Sequence, residues 1–393
     1  MSTLGLLTYR DCVRQLMDLT ENDANENIRR DARRAVLEAI DEFPSAHEWT
    51  YYYARGRITT VASYNTGTIA YDHAGGAAER LVTLTDGTWP SWAAYGTILI
   101  DSVPYEVATR ESSTTLTLSV NSNPGADVAA EETYTIYRDI YPMPIDFISA
   151  DQLTAFGSSI SYPTYVHARD WLGAQRSNQS TGTPYAYTFL KDPNYSGALA
   201  VAFVDPPDAV YVYDFVYKRR PRLLVFEEYK EGTVSVTASS ATVTGSGTTF
   251  TSDMVGSVIR LAGSATANYP EALEWNNSYS VERVITAYTS ATSVTVDAEF
   301  DSSLSGVKYI ISDPVDLERG SMKNAFLRCC EKQASIARHF PIERQAKMEK
   351  AYMQALILAR EADSRNMAWR VAGPGPMFPD ASWHNSLGSD AGT

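Results

Sequence analysis

Residues 232–261, GTVSVTASSATVTGSGTTFTSDMVGSVIRL, leave this chain little choice of fold. Val234, Val236 and Ala238, and then Thr242 and Thr244, alternate with small polar residues. A period of two carried by β-branched side chains specifies half-buried strands rather than a helix. Ser239-Ser240 and Gly245-Ser246-Gly247 break one strand from the next. Stretches 280–287, 293–298 and 308–312 continue the pattern. Short strands at roughly 8–12-residue spacing predict an antiparallel barrel or sandwich of about 80 residues.

The same pattern occurs earlier in the chain. Gly96-Thr97-Ile98-Leu99-Ile100 matches Gly256-Ser257-Val258-Ile259-Arg260. Tyr105-Glu106-Val107-Ala108 matches Ser280-Val281-Glu282-Arg283, and residues 113–118 match 291–296. Residues 134–138 match 309–313. The order of the pieces is preserved, which predicts two copies of one β cassette.

Helices flank this β material. Thr8 with Asp11 three positions later is a capping box for a first helix, in which Val13, Leu16 and Met17 share a face. Ile28, Ala32, Ala35, Val36, Ala39, Ile40 and Phe43 recur at three and four, so a second helix runs to Pro44. Trp49, Tyr51 and Tyr53 with Arg55 and Arg57 then open the first cassette. Near the other end, Asp313 as cap, Pro314 at the first position and Asp316 at the third predict a helix reaching Arg338. Its core side is Met322, Phe326, Cys329, Ile336 and Phe340. A further helix starts at Pro341, carries Ile342, Met348, Tyr352, Ala355, Leu356 and Ala359 as apolar positions, and fades after Asp363. Amphipathic helices must bury their stripes, so the expected fold is α+β. It is a helical bundle of N- and C-terminal helices with a large inserted all-β region containing two barrel-like cassettes.

The expected divisions are 1–47, helices; 48–138, first cassette; 139–230, a central β region; 231–313, second cassette; 314–365, closing helices; and 366–393, an extended tail. Within the central region, 158–183 reads as a long loop anchored by Asp170-Trp171-Leu172. Residues 186–190, 199–204 and 209–217 read as strands. Lys218, Arg219, Arg220 and Arg222 form a basic cluster in a chain of net charge −14, which reads either as a solvated strand end or as an electrostatic contact with an acidic partner. The tail contains Gly373-Pro374-Gly375-Pro376, which cannot build a core, yet carries Trp369, Phe378 and Trp383. Buried aromatic rings dominate interface energies, so these three read as docking anchors.

Chemistry is scarce. His47, His73, His167, His339 and His384 are scattered with no HExxH spacing, and no GxSxG elbow occurs. Cys12, Cys329 and Cys330 form no CxxC. The run 245–249 lacks the lysine of a phosphate loop and reads as a β-turn. Asp205, Asp208 and Asp214 around Pro206-Pro207 read as turn chemistry rather than paired catalytic carboxylates. Neither catalytic residues nor a metal or cofactor is expected. The N-terminal MSTLGLLTYRD lacks a basic region followed by an apolar one, and no apolar run approaches 18 residues, so no membrane partner is expected. The acidic balance opposes wrapping of nucleic acid but suits a wall along which DNA slides without sticking.

Several of these pieces, in this order, resemble the head-to-tail connectors of tailed bacteriophages, particularly the adaptor or tail-tubular family of short-tailed phages. They are the arginine-rich second helix running into Trp49 and Tyr51-Tyr52-Tyr53, and Tyr141-Pro142-Met143-Pro144-Ile145-Asp146-Phe147. The strand 208–217 followed by Lys218-Arg219-Arg220-Pro221 and the closing helical pair complete the set. Thr242-Val243-Thr244-Gly245-Ser246-Gly247-Thr248 and Val255-Gly256-Ser257-Val258-Ile259 resemble small β barrels common in virion proteins. The resemblance covers most of the chain. It implies a homo-oligomeric ring, usually twelvefold, at the head–tail neck of the virion, assembled in the host cytoplasm. Its partners would be the portal protein, a tail or nozzle protein, and genomic double-stranded DNA passing without specific binding. The second cassette enlarges the simple adaptor plan and leaves a sixfold hub or stopper open. A carbohydrate- or receptor-binding virion module is the main competing reading.

Overall fold

A computed structural model of the chain describes residues 5–19, 26–74, 79–150, 153–156, 163–177, 181–270, 279–318 and 320–372. The chain divides into two compact units, Tyr53–Arg220 and a second made of Met1–Tyr52 with Pro221–Thr393. Helices from both ends of the chain flank a large β region with two barrel-like sheets, an α+β fold.

The unit Tyr53–Arg220 begins with β1 (Tyr53–Thr59), which lies in the central region and not in the first cassette. The cassette proper comprises β2 (Thr68–Asp72), β3 (Leu81–Thr85), β4 (Thr97–Ile100), β5 (Val103–Arg110), β6 (Thr115–Leu118), β7 (Val128–Glu132) and β8 (Tyr134–Tyr137). Their spatial order is β7-β2-β3-β6-β5-β4-β8. Alternate side chains, Ile69, Tyr71, Val82, Leu84, Ile98, Ile100, Leu116 and Ile136 among them, fill the interior with Trp89.

The central region adds β9 (Ile140–Pro142), β10 (Phe147–Ala150), β11 (Thr154–Phe156), β12 (Thr164–Tyr165), β13 (Ala186–Lys191), β14 (Leu199–Phe203) and β15 (Val212–Arg219). One sheet sets β1 and β10 on either side of β15, with β11 also on β15; the other runs β12-β13-β14-β9. Both contribute to one aromatic core, where Phe203 and Tyr213 lie 5.0 Å apart and Phe147 and Tyr217 5.7 Å. Gly56 on β1 is required there, since a Cβ would come within 2.3 Å of the Phe215 ring. The stretch expected as a long loop contains a ten-residue helix, Ala168–Ser177.

The other unit holds the bundle. Its helices are α1 (Tyr9–Asp18), α2 (Glu26–Glu42), α4 (Ser321–Ala337) and α5 (Ile342–Ala372), α3 being Ala168–Ser177 of the first unit. Thr8 and Asp11 form the capping box of α1. Phe43, Trp49 and Tyr52 belong to the bundle core, with Phe43 stacked on Trp49 and edge-on to Phe326. The Asp313 cap is a correction. Helix α4 starts eight residues later, and 313–318 run without helix because the Asp313 carboxylate is taken by the amides of Val225 and Phe226. Asp316 likewise accepts from the Tyr51 hydroxyl and the Arg222 amide. Ile336 and Ile342, expected in the core, are exposed. Helix α5 continues to Ala372, which gives it a length of roughly 46 Å at 1.5 Å per residue.

The second cassette comprises β16 (Thr233–Val236), β17 (Thr242–Ser246), β18 (Val258–Leu261), β19 (Val281–Ser290), β20 (Ser293–Val296), β21 (Leu304–Val307) and β22 (Tyr309–Ser312). Its order, β21-β16-β17-β20-β19-β18-β22, is that of the first cassette strand for strand. The agreement reaches single residues. Ile69 pairs with Leu84 as Val234 does with Gly245, and Val82 with Leu116 as Val243 does with Val294. Tyr64 accepts from the Thr88 amide and exchanges backbone bonds with Ile136; Tyr229 does both with Thr249 and Ile311. Left-handed backbone recurs at Gly67 and Gly232, Asp86 and Gly247, and Glu131 and Gly306. Two meanders sharing only composition have no reason to share these positions, so the cassettes are copies of one structural unit.

Candidate functional site

The residues singled out in the sequence do not converge. Trp369 lies on the final turns of α5, while Phe378 and Trp383 fall outside the described residues. The basic cluster is divided. Lys218 and Arg219 end β15, half-buried, with Lys218 opposite Tyr53 and Ser149 in the ladder. Arg220 is exposed. Arg222 is half-buried and already has a partner in its own chain. Its guanidinium pairs with the buried Asp313 at 3.2 Å and fills the space where a Cβ on Gly256 would sit. Asp214 is gripped by Arg57 through two hydrogen bonds of 2.6 and 3.0 Å, and Arg55 adds a third. No group of three or more His, Cys, Asp or Glu able to hold a metal is present among the described residues.

Two other features carry functional weight. The first is the joint between the second cassette and the bundle. Arg260 on β18 is almost fully buried, and its Nε donates to Glu282 at 2.8 Å. Its two terminal nitrogens donate to Asp11 at 2.8 and 2.9 Å, and one also to the Leu6 carbonyl. Burial alone would weaken this cation, but its bonds to Asp11 and Glu282 raise its pKa overall. Beside it, Arg29 bridges Glu227 and Glu228 at 2.9 and 2.7 Å, and Arg33 pairs with Glu227. Arg29 and Arg33 of α2 are thus turned to their own chain, while Arg30 and Arg34 stay exposed. Here side-chain bonds join β18 to α1 and the segment leading into the cassette to α2, so the cassette is held to both helices by charge.

The second is a cleft of about 660 Å³ in the unit Tyr53–Arg220. Strands β4 and β5, the turn before β4, the segment 137–142, α3 and the loop 192–195 all contribute to its lining. Tyr95 and Tyr195 are exposed at its mouth. Arg138 lies over the rings of Tyr95 and Tyr141, 5.1 and 4.8 Å from their centroids, and donates Nε to the Ile140 carbonyl. It makes no ion pair among the described residues, and burial lowers its pKa. Asp139 is buried and accepts from Gln175 of α3 at 2.5 Å. Burial pushes its carboxyl above the usual range despite that bond. Asp192 is buried and spends one oxygen on the amides of Asn194 and Tyr195, which fixes the loop.

Sequence reasoning missed this cleft, because its residues come from elements far apart in the chain. One signal existed. Arg138 ends a stretch matched to 309–313, so a cation stands where the other copy has Asp313.

No protein-family model matches the chain, and no curated protein matches it. No described helix is long and apolar enough to cross a membrane.

Proposed function

We propose that this protein is a structural subunit of the head–tail neck of a tailed bacteriophage. Copies close side to side into a ring that joins portal to tail and surrounds the DNA channel. The observation that carries this reading is the outer surface of the bundle. On α5, Ile342, Met353, Ile357 and Leu358 are all exposed, while Tyr352, Ala355, Leu356 and Ala359 face the core. An apolar flank left outside a charged helix is the kind of surface that subunit contacts cover. Ring closure needs heterologous contacts, one flank of a subunit meeting a different flank of its neighbour. The net charge of −14 fits a channel wall that repels DNA rather than binding it.

Native mass measurement of the purified chain, alone and with portal protein, tests the reading. The expected result is a closed cyclic complex with portal, twelvefold for an adaptor and sixfold for a hub or stopper. A chain that stays monomeric in both samples, and that lies outside the neck in virions imaged by electron microscopy, refutes it. A carbohydrate- or receptor-binding virion module is the second reading, and the cleft beside Tyr95 and Tyr195 is the observation that favours it.

A further inference from the structure

The two cassettes present the same outward face to their surroundings, and they use it differently. In the second cassette this face is sealed. All four residues of β18 and all four of β22 are buried, and Arg260 ties the face to α1. In the first, the outward residues of β4 stay half-buried and the space before them is the cleft. The topology therefore permits a closed joint at this face, and the opening is a property of the residues placed there.

Those residues define a chemistry. Tyr95 and Tyr195 offer flat rings with polar tips at the mouth, one of them backed by the Arg138 guanidinium. Within the cleft, Arg138 donates to the Ile140 carbonyl and makes no ion pair among the described residues, though it feels the charges of Asp192 and Asp139. The Asp139–Gln175 pair and Asp192 supply fixed polar groups, buried and pre-organised by bonds already made. The single cation is outnumbered by Glu106, Asp139 and Asp192, so an anionic ligand such as a phosphate has no surplus positive charge to meet. An apolar ligand would strand the buried polar groups. A neutral ligand with one apolar face and many hydroxyls satisfies both constraints. Its C–H face stacks on the negative face of a ring, and its hydroxyls pair with fixed donors and acceptors.

We infer that this cleft binds a neutral oligosaccharide, with Tyr95 and Tyr195 stacking its sugar rings and Arg138, Asp139 and Gln175 pairing its hydroxyls. Binding at this site does not depend on the ring, since a ring subunit can carry it on each copy.

The test uses the full chain and a panel of neutral oligosaccharides, namely malto-, cello-, chito- and manno-oligosaccharides, with polygalacturonate as an anionic probe. Saturation-transfer NMR reads contact, and titration reads affinity. At least one neutral member binds, and Tyr195→Ala weakens it by about tenfold or more. Tyr195 is exposed, so the variant keeps its melting temperature; Asp139→Asn, which keeps an acceptor for Gln175, serves as a second probe inside the cleft. Tyr288→Ala, an exposed ring on the second cassette, leaves affinity unchanged. The inference is overturned if no neutral member binds at millimolar concentration, if only polygalacturonate binds, or if Tyr288→Ala weakens binding as much as Tyr195→Ala.

Discussion

Replacing Arg260 by Met should cost the bundle-bearing unit more than any exposed charge could. The side chain is 4% exposed and makes four hydrogen bonds, three of them to carboxylates. Methionine fills much of its volume, so the loss is electrostatic rather than a cavity. It deprives Glu282, which is fully buried, of its cation and leaves it the Leu6 amide at 3.2 Å and a bond to the Tyr279 side chain. Asp11 is less exposed to the change because the Thr8 amide still caps it. Breaking a buried pair from one side costs about 3–5 kcal/mol. For a unit of this size that lowers the melting temperature by roughly 6–20 °C, at ~2–4 °C per kcal/mol. Urea unfolding followed by circular dichroism and tryptophan fluorescence separates the two units if they melt apart. Adding Glu282→Gln removes the stranded charge and should recover part of the loss, with a coupling of at least about 1 kcal/mol in the double-mutant cycle. A loss below about 1 kcal/mol, the scale of an exposed pair, together with strict additivity, would refute the reasoning.

Other expectations follow from the same surfaces and turns. Gly67→Ala and Gly232→Ala should each cost about 1–3 kcal/mol, because both sit in left-handed backbone with a carbonyl oxygen 2.1–2.3 Å from the new Cβ; Gly125→Ala, with open space around it, should cost less in the same denaturation assay. For Glu228, burial raises the carboxyl pKa, but the Lys230 hydrogen bond, the charges of Arg10 and Lys230 and the Arg29 hydrogen bond overcome it and hold the value at about 2. A carboxyl depressed in the folded state stabilises above its unfolded pKa, so on the order of 3 kcal/mol should be lost as pH falls from about 4.5 to 2, and Glu228→Gln should flatten that profile in acid titration. Met353→Lys with Ile357→Lys should leave the melting temperature unchanged within about 0.5 kcal/mol and abolish ring closure, read by mass photometry. Deleting residues 366–393 should leave the rest of the fold intact and remove portal attachment in a pull-down; undiminished attachment sinks the docking arm.

The α+β architecture was legible because its signals are periodic. A stripe at three and four in α2 and an alternation in 232–246 each survive without tertiary information. Register was less legible. The matches 113–118 with 291–296 and 134–138 with 309–313 agree with the strand pairings, but two others slip. Ile98 corresponds to Ile259 and Gly96 to Ser257, one residue beyond the sequence match. A strand buried on both faces, as β18 is, loses the alternation that fixes phase. Tyr105 corresponds to Arg283, three residues beyond, because a longer connection precedes β19. The Asp313 cap misled for a different reason. A carboxylate before proline fits a helix start equally well whether it caps its own helix or serves a distant loop, and only the fold decides. The cleft was invisible for the same cause, since Gln175 meets Asp139 only after α3 is placed.

What differs between the two copies bears most directly on function. At the position of Tyr95 the second cassette has Gly256, and the vacated space admits Arg222. At the position of Arg138 it has Asp313, which binds that arginine. At the position of Leu99 it has Arg260, which binds Asp11. Each exchange in the second copy adds a partner that closes the face against its own chain. Each residue in the first leaves a ring, a cation or an apolar side chain facing open space. One unit, used twice, thus serves as a sealed joint in one place and an open cleft in the other. Opening the joint by Arg260→Leu would leave Asp11 and Glu282 without their shared cation. The two faces have become non-interchangeable through their partners rather than through the strands themselves.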